Sequence, residues 1–186
     1  MKKKIFISLV VFLIGMCLAG LIVYKTNLHE KENKLTITQL NATTYGERIK
    51  QEISDGIEIA HTLQQLLIDE NGTINKFDTI ANNLMNDSVE SIQLAPNGVV
   101  TDIYPEEGNE AGKIDLLKDK ERGKISCYAR DDHILITQGP FELKQGGEGI
   151  AVRNPVYLED GTGQEYFWGF TIVILRVPDV FSGSLS

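Results

Sequence analysis

The chain is short of the residues that most often do covalent or metal chemistry. Its 186 residues include two cysteines and three histidines. Cys17 lies inside an apolar run and Cys127 far outside it, so the two cannot pair within one molecule. Neither a disulfide framework nor zinc-ligand spacing exists. Cys127 reads as a small buried hydrophobe. His29, His61 and His133 are scattered, and none stands in a nucleophile–base arrangement. No G-x-S-x-G, Walker or dinucleotide-binding pattern occurs. The paired acids Glu106-Glu107 and Asp131-Asp132 fall in loop sequence and read as solvated turns. Internal repeats and low-complexity stretches are also missing. These absences argue against an enzyme, and no metal or other cofactor is expected.

What is present begins with a membrane signal. Lys2, Lys3 and Lys4 precede an unbroken apolar run from Ile5 to Tyr24. Twenty residues at helical rise span the hydrocarbon core. The run is longer than a signal-peptide core and no clean A-x-A follows it. Met16-Cys17 lacks the small residue a lipobox needs. An uncleaved transmembrane helix over residues 5–24 is therefore expected. The three lysines keep residues 1–4 in the cytoplasm and place everything after Lys25 outside. Before Thr26 there are four lysines and no acid, so a formal net charge of −8 leaves −12 for the outer part. So acidic a surface repels nucleic acid and anionic lipid, and neither is an expected partner.

Periodicity organises the rest. Ile49, Ile53, Ile57, Ala60, Leu63 and Leu67 recur at three- and four-residue steps, widened by Ile59 and Leu66. No proline interrupts, which predicts a long stalk helix over residues 35–68, ended by Glu70-Asn71-Gly72. A short helix is predicted over 77–85. After Asp87 the period changes to that of strands. Val89–Ala95 and Val99–Tyr104 flank the hairpin turn Pro96-Asn97-Gly98. Leu116–Arg130 reads as a helix with Asp119 as cap and Leu116, Leu117, Ile125, Tyr128 and Ala129 as its apolar side. Strands follow at Ile134–Thr137, Gly149–Leu158 and Tyr166–Leu175. The fold class is α+β: a PAS-like antiparallel five-stranded sheet with flanking helices. The strand order is not fixed by pattern.

One strand carries a charge among apolar neighbours. Alternation in Gly149–Tyr157 puts Ile150, Val152, Asn154 and Val156 on one face and Ala151, Arg153, Pro155 and Tyr157 on the other. A buried guanidinium needs a carboxylate or an anionic ligand. Either a salt bridge from Arg153 to Glu121 or Asp115, or contact with a ligand, satisfies it.

The motifs APNG, YP, GNE, IDLL, ER, YAR, GPFEL, GIAVRNPVY and FWGF occur in that order between Ala95 and Phe170. On these the chain resembles the CHASE family over residues 35–181. CHASE domains are extracellular sensors in front of bacterial histidine kinases and diguanylate cyclases, and in plant cytokinin receptors. The resemblance implies a ligand between the sheet and the helix after the IDLL-like turn. It implies an acid beside that helix's arginine as a ligand contact, here Glu121 next to Arg122. A threonine before the Gly-Pro-Phe turn matters in the plant receptors; here Gln138 aligns, with Thr137 adjacent. The position of Arg153 holds a small hydroxyl residue in the plant pattern, so the arginine argues for a smaller or anionic ligand.

The expected function is an extracytoplasmic ligand-sensing input domain of a membrane-anchored receptor, of histidine kinase or diguanylate cyclase type. The expected ligand-binding residues are Arg153, Glu121, Gln138, Thr137, Tyr157 and Trp168. A homodimer through the stalk is expected, because Ile49, Ile53 and Ile57 leave Ile59 and Leu66 for a second surface. The family's second membrane helix and output domain are not seen in the chain, which reads as a fragment, a truncated product or a degenerate sensor. The alternative is a membrane-anchored extracellular structural or protein-interaction domain without a small-molecule ligand.

Overall fold

The computed structural model describes the backbone of residues 2–11, and backbone and side chains of residues 12–106, 112, 114–143 and 146–177. The GNE motif, Glu107, Lys113 and the end of the expected domain, 178–181, lie outside the described residues. The chain divides into two units, Met1–Glu47 and Arg48–Ser186.

The first unit is helical throughout its described residues and belongs to α1 (Lys2–Asp69). Its side chains are exposed over residues 12–44, including Leu18, Ile22 and Val23. The helix is long and apolar enough to cross a membrane. The helical prediction for residues 35–68 thus lies within a longer helix.

The second unit holds the end of α1, then α2 (Phe77–Leu84), β1 (Val89–Pro96), β2 (Asp102–Tyr104), α3 (Gly123–Asp131), β3 (Ile136–Glu142), β4 (Glu148–Glu159) and β5 (Glu165–Arg176). The strands form one five-stranded sheet in the order β2-β1-β5-β4-β3, with every neighbour antiparallel. The fold is α+β, as its sequence pattern predicts.

β4 and β5 lie inside the sheet and are covered on both faces, so their sequences are nearly continuous apolar runs rather than clean alternations. On one face Ile59, Ala60, Leu63 and Leu67 of α1 pack with Phe77 and Ala81 of α2 on Ile92, Val152, Val156, Val173 and Leu175. Leu63 and Leu67 are wholly buried, and each such side chain contributes about 1.5–3 kcal/mol. Two polar ties fix this helix on the sheet. Thr171 donates to the Ala60 carbonyl at 3.0 Å, and Asn154 donates to Gln64 Oε1 at 3.0 Å. On the other face Ala95, Ile103, Leu116, Ala129, Ile136, Phe170 and Ile172 form a second core under α3.

Gly169, in the FWGF motif, is required by close approach. Its φ is +156°, and a Cβ there would strike the Ala95 carbonyl oxygen and lie 2.7 Å from Pro96 Cα.

Three elements depart from the predicted boundaries, among them β3, which runs Ile136–Glu142 rather than Ile134–Thr137 and continues through Gly139-Pro140 past an irregularity in its pairing. β2 is three residues long rather than six, because residues 98–100 turn away to pair with residues 114–116. Val100 N–H donates to the Ile114 carbonyl at 3.0 Å and Leu116 N–H to the Gly98 carbonyl at 2.8 Å. The predicted helix over Leu116–Arg130 begins only at Gly123. Asp115 accepts from the N–H groups of Leu117 and Lys118, and Asp119 from those of Glu121 and Arg122. Two successive aspartate-capped turns replace the first helical turns. Tyr128, expected on the apolar side of α3, is 53% exposed; Gly123, Ser126 and Ala129 form its buried side. Cys127 is half-buried, with Sγ 3.8 Å from the Leu117 carbonyl.

Candidate functional site around Arg153

Directly paired residues of an antiparallel sheet share a face, so the register arranges side chains in rows. On the α3 face one row runs Gln93, Ile172, Arg153, Ile136. The next runs Ser91, Ile174, Ala151, Gln138. Arg153 therefore points where strand alternation puts it, away from α1, while Val152 and Asn154 face α1.

Arg153 is 3% exposed. Its Nη1 donates to Gln138 Oε1 at 2.5 Å, and its Nε finds no partner among the described residues. The expected salt bridge to Glu121 or Asp115 is not seen among the described residues: Asp115 is held by Lys118 at 2.9 Å and Glu121 is exposed. Burial foremost, then the nearby Arg122 guanidinium, hold Arg153 below its usual pKa, at about 10, while Asp119 pulls in the opposite direction. Asp119 lies 4.0 Å from Arg122. Asp119 thus acts on both guanidinium groups, and Arg153 itself is a buried cation whose described hydrogen-bond partner is a neutral amide.

Two cavities open beside it. One, of about 140 Å³, has Glu90, Ser91, Gln93, Arg122, Glu142 and Arg153 as polar lining, with Ile172 and Ile174 among its apolar lining. The other, of about 230 Å³, is lined by Glu121, Arg122, Gln138, Pro140, Phe141 and Arg153. Arg122, Phe141 and Arg153 belong to both.

The six expected residues do not form one wall. Arg153, Glu121 and Gln138 come together. Thr137 pairs with Val152, shares its face of the sheet, and is exposed. Tyr157 is on the α3 side but at the far end, past an irregularity in the β4–β5 pairing. There it stacks on His133 with ring centroids 3.9 Å apart and donates to the Arg130 carbonyl. Trp168 packs with the α1-side core and donates to the Gly72 carbonyl at 3.0 Å. Arg122, Ser91, Gln93 and Phe141 line the cavities without having been singled out for that from sequence. For Ser91 and Gln93 a signal existed: they alternate with Ala95, and a polar pair on a buried face is unusual.

No protein-family model matches the chain, and no curated protein sequence matches it. Among solved structures it is similar to an extracellular ligand binding receptor from Desulfohalobium retbaense DSM5692, with a TM-score of 0.56 and 15% identity. The match covers 73% of this chain and 24% of that one, so the chain spans about a quarter of that receptor's length. The chain shares an α+β fold with part of that receptor.

Proposed function

We propose that the chain is an extracytoplasmic ligand-sensing input domain of a membrane-anchored signalling receptor, built on a CHASE-like, PAS-like core over residues 35–181. The observation that carries this reading is Arg153: a guanidinium 3% exposed, with Nε unpartnered among the described residues, at the junction of two cavities. A buried charge without a carboxylate is destabilising by several kcal/mol or more. An anionic ligand held by Arg153 and Arg122, with Gln138 and Glu121 beside them, removes that penalty. The motifs from APNG to FWGF support the family, and the printed description of the similar structure, an extracellular ligand binding receptor, agrees with ligand sensing. Residues 5–24 anchor the domain, with residues 1–4 in the cytoplasm. The output is a histidine kinase or diguanylate cyclase in the same receptor, which works as a homodimer through its stalk.

The test is a chimaeric receptor in which this chain precedes the transmembrane and kinase segments of a characterised histidine kinase in a reporter strain. Reporter output that changes with added small carboxylates, amino acids or purines, and stops changing in the Arg153→Met variant, supports the proposal. Output indifferent to every compound, from a receptor that inserts and signals constitutively, contradicts it.

A further inference from the structure

We infer that the smaller cavity takes a small monocarboxylate with an apolar middle and an uncharged hydrogen-bonding group, such as a hydroxyl, at its far end. This rests on the sensor reading and specifies its ligand.

Size is the first constraint. A cavity of about 150 Å³ holds benzene, so 140 Å³ suits a molecule of about six or seven non-hydrogen atoms. A nucleobase with a side chain is too large.

The second constraint is the layout of the floor. Arg153 and Gln93 are separated in the same row by Ile172, and Ala151 and Ser91 by Ile174. Two strand spacings put the Arg153 and Gln93 backbones roughly 10 Å apart. The guanidinium is at one end, the isoleucines are in the middle and the uncharged polar pair is at the other end. Gln93 Nε2 donates to Ser91 Oγ at 3.0 Å. That leaves the Gln93 amide oxygen as an acceptor and the Ser91 hydroxyl hydrogen as a donor, the complement of a ligand hydroxyl.

Charge is the third. Arg153 is buried with Nε unpartnered and only the Gln138 amide as a hydrogen-bond partner among the described residues, which suits one ligand carboxylate. Glu90 also lines the cavity but is held by Arg176, with Nη2 2.5 Å from Oε2. Glu142 lines it as well. A second ligand carboxylate would meet these acids, and Glu90, next to Ser91 in the chain, is already paired with Arg176 and so is not free for a ligand ammonium.

A matched series tests this: 4-hydroxybutanoate, butanoate, 4-aminobutanoate and succinate, titrated calorimetrically into the full chain in detergent micelles. They differ only at the end away from the carboxylate. The expected order is 4-hydroxybutanoate first, butanoate about tenfold weaker for want of the hydrogen bonds, and the two charged compounds weaker still. Gln93→Leu should bring the first two together by weakening 4-hydroxybutanoate alone. Gln93→Glu, which keeps the side chain's shape, should move preference toward 4-aminobutanoate. Succinate or 4-aminobutanoate binding tightest to the wild type, or an order untouched by both substitutions, overturns the inference. If none of the four binds but a purine or larger acid does so in an Arg153-dependent way, the inference falls and the sensor reading stands. If no compound of any class binds, both fall.

Discussion

Arg153 and Gln138 lie in adjacent strands, and their side chains meet on the α3 face, Nη1 donating to Oε1 at 2.5 Å. A neutral amide is thus the described partner of a buried cation, and it satisfies one of five guanidinium N–H groups. Replacing a buried, incompletely paired charge by an apolar side chain of similar volume is commonly neutral or stabilising, by about 1–4 kcal/mol. Arg153→Met in the unliganded full chain should therefore melt at the same temperature as the wild type or higher. A fall of several degrees in differential scanning calorimetry would mark Arg153 as a structural residue.

Trp168 should behave in the opposite way. Its ring packs on the α1-side core and its Nε1 donates to Gly72. Trp168→Phe loses that hydrogen bond and should lower stability by about 0.5–1.5 kcal/mol. Ligand affinity should stay within experimental error, because Trp168 is on the face away from Arg153. A large loss of affinity at unchanged stability would return it to the site.

Gly169 tolerates no side chain. Its positive φ and the Ala95 carbonyl leave no room for a Cβ. Gly169→Ala should cost at least about 3 kcal/mol and weaken the β1–β5 pairing. Denaturant unfolding checks the magnitude, and hydrogen exchange at Ala95 and Asn97 checks the place, since Asn97 N–H donates to the Trp168 carbonyl at 2.7 Å. Unchanged stability would contradict this packing.

Asp119 sets an acid limit. The Arg122 N–H, first, holds its carboxyl below the usual value of 3.8; burial opposes it, and the Glu121 N–H and the charges of Arg122 and Arg153 add to the lowering. A folded pKa below the unfolded one means stability that is complete above about pH 4 and lost as pH falls through the lower folded value. At neutral pH Asp119→Ala should lose about 1 kcal/mol, the usual loss for a missing cap. The gap between wild type and variant should close below pH 3.8 in a series of melting curves. A gap constant down to pH 2 would mean the carboxylate does not hold the turn.

How far the sequence was legible follows from what each pattern encodes. The helical stripe of Leu63 and Leu67 and the alternation around Arg153 are properties of single segments, and both appear as read. The Pro96-Asn97-Gly98 turn was also local, with Asn97 and Gly98 at positive φ. β2 was overestimated because residues 98–100 are claimed by residues 114–116, a pairing no single segment contains. The start of α3 was misplaced because Asp115 and Asp119 both cap turns, and one sequence of caps fits either a helix or two turns. The site suffered most. Which side chains stand in or beside the row of Arg153 depends on cross-strand register, so the polar pair Ser91 and Gln93 shows on its own strand, but its place near Arg153, two strands away, does not. Thr137 enters only as the neighbour of Gln138, where a one-residue step reverses the face, and nothing local to Trp168 tells which face of the sheet it takes.

The most direct measurement is a thermal-shift series on the full chain in detergent, wild type beside Arg153→Met, against small carboxylates, amino acids and purines. A ligand at one hundred times its Kd stabilises the folded state by about 2.7 kcal/mol. The expected result is a rise in melting temperature for the wild type with at least one small carboxylate, and none for a folded Arg153→Met. No rise with any compound, or the same rise in both proteins, would contradict the assignment of Arg153 as the anchor of a ligand site.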